Sequence, residues 1–306
     1  MPRFLLRRLL HTLFVVWGVV TAVFFLVRLT GDPTALLVDP SATQAEIAHT
    51  RHLLGLDRPW HVQYADFLLA MLRGDFGQSI QQRRPAMPLV LEHLWPATIE
   101  LAVAATVLST LLAVPLGILA ATHQNRAPDH LSRLASLFLQ SMPSFWLGLV
   151  LIFVFAVYLK GLLPAYGTGT WRHLILPAVT LAAAPLAQNV RLLRAGLLDV
   201  LPQDYIRTAR AKGLPDRLVI YRHAIWNTAI PFLTVTGLSI GFMLSGAIVI
   251  ETVFSWPGLG RYTFRSATAL DFPAIMGITL VVALTYLVIN LLIDLSYALL
   301  DPRVAR

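Results

Sequence analysis

Apolar residues run through this chain in long blocks. Six blocks stand out, at 9–27, 97–121, 135–159, 174–193, 227–251 and 274–299. Each is about 20 residues or longer, enough helix at 1.5 Å per residue to cross a hydrocarbon layer of about 30 Å. The pattern therefore predicts an all-α polytopic membrane protein with six transmembrane helices. Two polar stretches interrupt it. Residues 30–95 are too polar to span and too few for a robust core of their own. Within them Thr43-Gln-Ala-Glu46 reads as a capping box opening a helix that ends near Gly55. A second helix is predicted from Pro59 to Arg73, stopped by Gly74. Trp60, Tyr64, Phe67 and Trp95 suit a membrane interface. The other polar stretch is 195–226. There Pro202 breaks the chain, Asp204 can cap, 205–212 makes two helical turns, and Gly213 with Pro215 ends them.

Composition agrees with the blocks. Hydrophobic types make up 57% of the 306 residues and charged types only 13%. A soluble domain could not hide so much apolar surface, which excludes an ordinary soluble enzyme and a disordered chain. With no cysteine, disulfides, thiolate metal sites and cysteine nucleophiles are excluded too. The first block follows Arg3, Arg7 and Arg8, a flank that also fits a signal peptide. No small-residue cleavage site precedes Arg28, so the block reads as an uncleaved first helix. Four other blocks contain prolines: Pro115, Pro143, Pro177 with Pro185, and Pro231. Proline kinks a helix and frees a carbonyl, which a packed transport bundle tolerates.

The net charge of +8 would suggest a nucleic-acid partner in a soluble protein. Its distribution says otherwise. Fourteen of the 24 Lys and Arg residues fall in the N-terminus, 122–133, 191–226 and the tail. The opposite side holds Lys160, Arg172, Arg261 and Arg265, besides the long first loop, which the rule exempts. The basic side is the cytoplasmic one. Six spans also place both termini on one side, so the two readings agree. Domain organisation follows: 1–29 for the tail and first span, 30–95 for an extracytoplasmic loop of about 65 residues, and 96–306 for the core with a cytoplasmic loop at 195–226.

Catalytic and metal motifs fare poorly. No GxxxxGK[ST] run exists, so no P-loop cradles a nucleotide here. Gly237-Leu-Ser239-Ile-Gly241 matches GxSxG, but inside an apolar block rather than at a strand-to-helix turn. Gly237, Gly241 and Ser245 step by four and instead predict a smooth helix-packing face. An intramembrane hydrolase built on Ser239 is the enzyme alternative, and it lacks a histidine in the neighbouring spans. Glu46, His49 and His52 share a helix face, yet no further ligand or supporting shell is visible, so no metal site is assigned. Polar groups in or near spans say more, because they are costly there. These are Glu100, Gln140, Gln188, Asn189, Glu251, Asn290 and Asp294. Each either lines a hydrophilic path or bonds between helices. The three acids are expected near span ends, within reach of water.

The loop at 195–226 carries the most specific motif. Ala209 and Gly213 are four apart, a small-residue stripe that allows close approach of another surface, and Arg207, Arg210 and Lys212 flank it. A helix this short is unstable alone, so packing must order it, on its own domain or in a partner's groove. The run Asp204-Tyr-Ile-Arg-Thr-Ala-Arg-Ala-Lys-Gly213 resembles the cytoplasmic "EAA" loop of permeases of bacterial ABC importers of the dipeptide, oligopeptide and nickel type. Arg207, Thr208 and Ala209 stand at the Glu-Ala-Ala positions. Thr30-Gly-Asp-Pro33, Leu54-Gly-Leu-Asp57, Gly74-Asp-Phe-Gly77, Ser144-Phe-Trp-Leu147, Glu251-Thr-Val-Phe-Ser-Trp-Pro-Gly-Leu-Gly260, Asn290-Leu-Leu-Ile-Asp294 and Leu300-Asp-Pro-Arg303 match as well, in order along nearly the whole chain.

The resemblance implies a type I ABC importer permease of the inner membrane. It implies a second, similar permease, two cytoplasmic ATPases, an external solute-binding protein and surrounding lipid as partners, with no nucleic acid. Residues Asp204, Tyr205, Arg207, Thr208, Ala209, Arg210, Ala211, Lys212 and Gly213 would form the ATPase-coupling helix. ATP and Mg would be used by the ATPases; this chain would bind no cofactor and do no covalent chemistry. Short peptides are the expected cargo, with nickel complexes or glutathione as alternatives.

Overall fold

The computed structural model describes residues 2–30, 34, 38, 42–244 and 247–300. Among them the chain is helical apart from one isolated antiparallel bridge, Gln78 to Pro85. The helices are α1 (Pro2–Thr30), α2 (Gln44–Leu53), α3 (Trp60–Leu72), α4 (Ala86–His93), α5 (Ile99–Thr122), α6 (Ala127–Ser141), α7 (Ser144–Ile152), α8 (Trp171–Val200), α9 (Asp204–Ala211), α10 (Ile225–Leu244), α11 (Ile248–Val253), α12 (Leu259–Thr268) and α13 (Phe272–Leu300). Wider π-helical turns at Phe153–Tyr158 and Val219–Ala224 extend α7 and lead into α10.

Four helical runs are long and apolar enough to cross a membrane: Ala86–Thr122, which is kinked where the Trp95 backbone turns extended, Trp171–Val200, Asp216–Leu244 and Phe272–Ile293. The block expected at 135–159 is instead a broken pair. Helices Ala127–Ser141 and Ser144–Tyr158 meet at 101°, with Met142 extended and Pro143 at the break. Proline there has no N–H to continue the first helix, and it disfavours helical geometry in the residue before it. The block expected at 227–251 also ends early, because α10 stops at Leu244 and α11 is separate. Pro115, Pro177, Pro185 and Pro231 all sit inside helices. The first block lies in α1, whose apolar stretch is Leu13–Leu29.

The chain divides into two compact units, one of 1–98 with 257–287, the other of 99–256 with 288–306. In the first unit, Val16, Val20 and Phe24 of α1 are buried beside Phe76, with Tyr64 and Phe67 of α3 packed against them. Phe24 lies 5.2 Å from Tyr64 and 5.3 Å from Phe67, ring centre to ring centre. The Thr21 and Tyr64 hydroxyls share a hydrogen bond of 2.6 Å. The capping box at α2 is present, with Thr43 and Glu46 bonded reciprocally. This holds Glu46 below the ordinary carboxylate range, the Thr43 backbone N–H being the main cause. Gly74 ends α3 at φ +71, a left-handed turn that glycine takes without strain.

The first unit also contains a buried clamp that periodicity does not reveal. Asp271 is fully buried at the start of α13. It accepts from the Ser79 hydroxyl at 2.5 Å, the Ile80 N–H at 3.0 Å and the Ala274 N–H at 3.3 Å. One carboxylate thus caps α13 and fastens the 79–81 turn, satisfying donors that burial would otherwise leave costly.

The second unit is built on α5 against α8. A Cβ on Gly117 would lie 2.8 Å from the Leu193 Cβ, so that crossing is as close as glycine permits. Gly237 of α10 shows the same device against Ile293, where an added Cβ would fall 2.3 Å from Cδ1. Gly241 is buried too, and Ser245, the third member of that expected face, lies outside the described residues. Gly237→Ala is expected to cost about 1–3 kcal/mol through overpacking, with Gly237→Ala/Ile293→Val recovering part of it. Thermal unfolding of the purified protein in detergent checks this. An unchanged midpoint for the single variant would remove the packing role.

Candidate functional site

Two features of the second unit bring the singled-out residues together. The first is the segment after α8. Here α9 runs Asp204–Ala211 and ends on Gly213, whose φ of +80 supplies the left-handed residue that follows a helix. Asp204 does not cap. Gln203 holds that position without a side-chain bond, and Asp204 sits in the first turn, 3.5 Å from Arg207. An acid there still favours the helix through the dipole.

The helix is strongly two-faced. Ile206 is 0% and Ala209 7% exposed, buried in a cluster with Ile118, Ala121, Leu197, Val219 and Ala224. Packing on its own unit therefore orders α9. Ala209 faces inward, so the close approach its small side chain allows is made by its own unit, one of the two supports the sequence left open. The outward face carries Asp204, Tyr205, Arg207, Thr208, Arg210, Ala211 and Lys212. Arg210 is tied to Asp216 at 3.0 Å. Partial burial raises the Tyr205 phenol above its ordinary value, opposed by a hydrogen bond with Asn227.

The second feature is a cavity of about 780 Å³. The C-terminal end of α6, the start of α7, the Pro185 region of α8, and α10 with α11 all line it. Gln140 and Gln188 both face it, with Ser144, Thr180 and Ser239 as further polar groups among Leu238, Phe242 and other apolar side chains. The Ser239 hydroxyl donates to the Val235 carbonyl of its own helix at 2.9 Å, a bond that does nothing to activate a nucleophile. A mostly apolar wall with a few hydrogen-bonding groups suits a small polar solute held loosely.

The remaining polar candidates scatter. Asn189 is fully buried and donates to the Thr236 hydroxyl at 3.4 Å, an interhelical bond. Glu100 and Asn290 are exposed. Glu251 is fully buried in α11, which overturns the expectation that water reaches it. Asp294 belongs to α13, and its side chain lies outside the described residues. In the first unit, Glu46 is engaged by Thr43, and the His52 ring is 2.7 Å from Asp57. Among the described residues no three metal-ligating side chains converge.

One important acid escapes sequence reasoning. Asp129, fully buried near the start of α6, accepts from Arg194 Nε at 2.5 Å and Nη2 at 2.8 Å. The Asn125 N–H supplies a third bond at 2.9 Å. Asp129 thus pins α6 to the end of α8, just before α9. The signal was available: Ala-Pro-Asp at 127–129 is a helix start with an acid in its first turn.

Comparison with known proteins agrees with this architecture. Residues 113–306 match the family of binding-protein-dependent transport system inner membrane components, and residues 1–102 match the N-terminal membrane component of the same systems. The chain is 41% identical to a probable D,D-dipeptide transport system permease of Escherichia coli strain K12, over 95% of this chain and 94% of that one. It is 40% identical to the glutathione transport system permease of Salmonella typhimurium strain LT2, over 99% of both. In fold it is similar to the inward-facing MetNI methionine ABC transporter, with a TM-score of 0.56 at 15% identity, covering 70% of this chain and 97% of that one. The chain therefore belongs to the family of binding-protein-dependent inner membrane transport components, as a multi-pass permease subunit of an ABC importer.

Proposed function

We propose that this permease forms half of a translocation path for short peptides delivered by an external solute-binding protein. The cavity lined by Gln140 and Gln188 is the observation that carries the reading. Peptides have amide groups that glutamine can bond as donor and acceptor, and apolar side chains that suit the remaining wall. The dipeptide and glutathione systems of the relatives favour peptide over the nickel alternative. The other half of the path comes from a second permease.

In this reading six spans cross the membrane: α1, α4 with α5, the bent α6–α7 pair, α8, α10 and α13. Both termini lie in the cytoplasm, on the side richest in arginine. Residues 30–95 lie outside, where they help shape the mouth that receives the binding protein. The outward face of α9 seats in a cleft of one ATPase. When ATP draws two ATPases together, each carries its helix, and the kinked spans rock between inward-open and outward-open states around a fixed path. ATP and Mg stay with the ATPases.

The test is ATP-driven uptake of a labelled dipeptide by proteoliposomes holding the complete transporter. Gln188→Leu removes about one hydrogen bond and is expected to lower uptake about fivefold, with Gln188→Asn between it and the parent. Unchanged uptake in Gln188→Leu would sink the path assignment.

A further inference from the structure

Between this cavity and the buried Asp129–Arg194 pair, α6 and α8 carry two further arginines, Arg133 and Arg191. Helices α6 and α8 run antiparallel, joined at one end by Asp129–Arg194 and meeting the cavity through Gln140 and Gln188. Residues between those points lie between the cavity and the buried pair. On α6, Arg133 stands seven residues before Gln140, two turns along nearly the same face. On α8, Arg191 stands three residues after Gln188, one turn further.

The charges do not cancel. Asp129 is taken up by Arg194 through both carboxylate oxygens and by the Asn125 N–H. Arg133, one helical turn on from Asp129, adds its charge to the field on that carboxylate, but among the described residues neither Arg133 nor Arg191 has a carboxylate within ion-pair distance. The Arg191 Nε is buried with no hydrogen-bond partner among the described residues. Three guanidinium groups thus accompany one carboxylate over this stretch. Arg133 is exposed and Arg191 half-buried; a half-buried arginine nitrogen without an acceptor costs stability, and such a cost is tolerated where a ligand supplies the missing acceptor.

We propose that Arg133 and Arg191 form a carboxylate-recognising collar at the inner end of the path, selecting solutes with a free anionic group as they leave the cavity. Charged side chains around a pore select ions of opposite sign in the same way, and arginine presents paired donors that match a carboxylate. This deepens the peptide reading and rests on the cavity being the path.

The cysteine-free sequence makes the test direct. Gln188→Cys is placed in the complete transporter in detergent. Its labelling by an anionic methanethiosulfonate and by a cationic one of similar size is measured, each rate normalised to a free small thiol. A preference of about fivefold or more for the anionic reagent is expected. Arg133→Gln/Arg191→Gln should abolish it and lower ATP-driven dipeptide uptake about tenfold. Arg133→Lys/Arg191→Lys should keep the preference, which guards against a mere folding defect. If Gln188→Cys reacts with neither reagent, the path assignment itself fails. If it reacts without charge preference, or if the glutamine pair leaves preference or uptake unchanged, the cavity stands and the collar is overturned. Loss of preference in the lysine pair would assign these arginines to packing and overturn it too.

Discussion

Asp129→Ala will destabilise the protein by about 3–5 kcal/mol, the usual cost of removing one partner from a buried ion pair. The variant strips Arg194, only 19% exposed, of its only ion-pair partner among the described residues and leaves the Asn125 N–H without its acceptor. At the scaling of chains this long, the unfolding midpoint in detergent should fall by about 5–10 °C. Asp129→Asn keeps an acceptor for Asn125 and one for Arg194 while losing the charge, so its loss should be roughly half. Asp129→Ala/Arg194→Leu should recover part of the loss, since no charge then remains without its counter-ion. A midpoint within about 1 °C of the parent for Asp129→Ala would refute the assignment. The effect should reach function as well. The pair anchors α6 to α8 three residues before the last turn that leads into α9, so loosening it loosens the base on which α9 is seated.

How much of this was legible in the sequence depends on the kind of signal. Long apolar blocks located the four helical runs long enough to span, because lipid demands about 20 apolar residues and an internally bonded backbone. Local capping chemistry located α2, α3 and the end of α9, because Thr43, Glu46, Gly74 and Gly213 act within a few residues of themselves. The break at Pro143 was visible as a proline but not as a 101° bend, since the angle is set by what each half packs against. Buried acids were the weakest point. Glu251 looked like a span-end residue and is fully enclosed, while Asp129 and Asp271 lie outside every apolar block and are clamps. Their partners Arg194 and Ser79 lie 65 and 192 positions away, beyond any local pattern. Of the six polar candidates for the path whose side chains are described, only Gln140 and Gln188 meet at the cavity, because residue type identifies a costly group but not which face it is turned to.

Ala209→Glu and Arg207→Glu will both lower coupled transport about tenfold or more, for different reasons. Ala209 packs against Leu197, Val219 and Ala224, so a glutamate there must bury a charge or push α9 off its support. Eight residues cannot hold a helix in water, so the segment should unfold locally, and trypsin should then cut at Arg210 and Lys212. Arg207 is 71% exposed and contributes no packing. Arg207→Glu should leave α9 folded and trypsin-resistant, yet lower transport about tenfold or more by reversing charge on the face proposed to dock in the ATPase. Arg207→Lys keeps the charge and should retain most transport. Two measurements on reconstituted transporter separate the cases: limited proteolysis, and stimulation of ATP hydrolysis by the loaded binding protein. If Arg207→Glu transports with normal stimulation, the outward face of α9 is not the docking surface. If Ala209→Glu stays trypsin-resistant, burial of Ala209 is not what orders the helix.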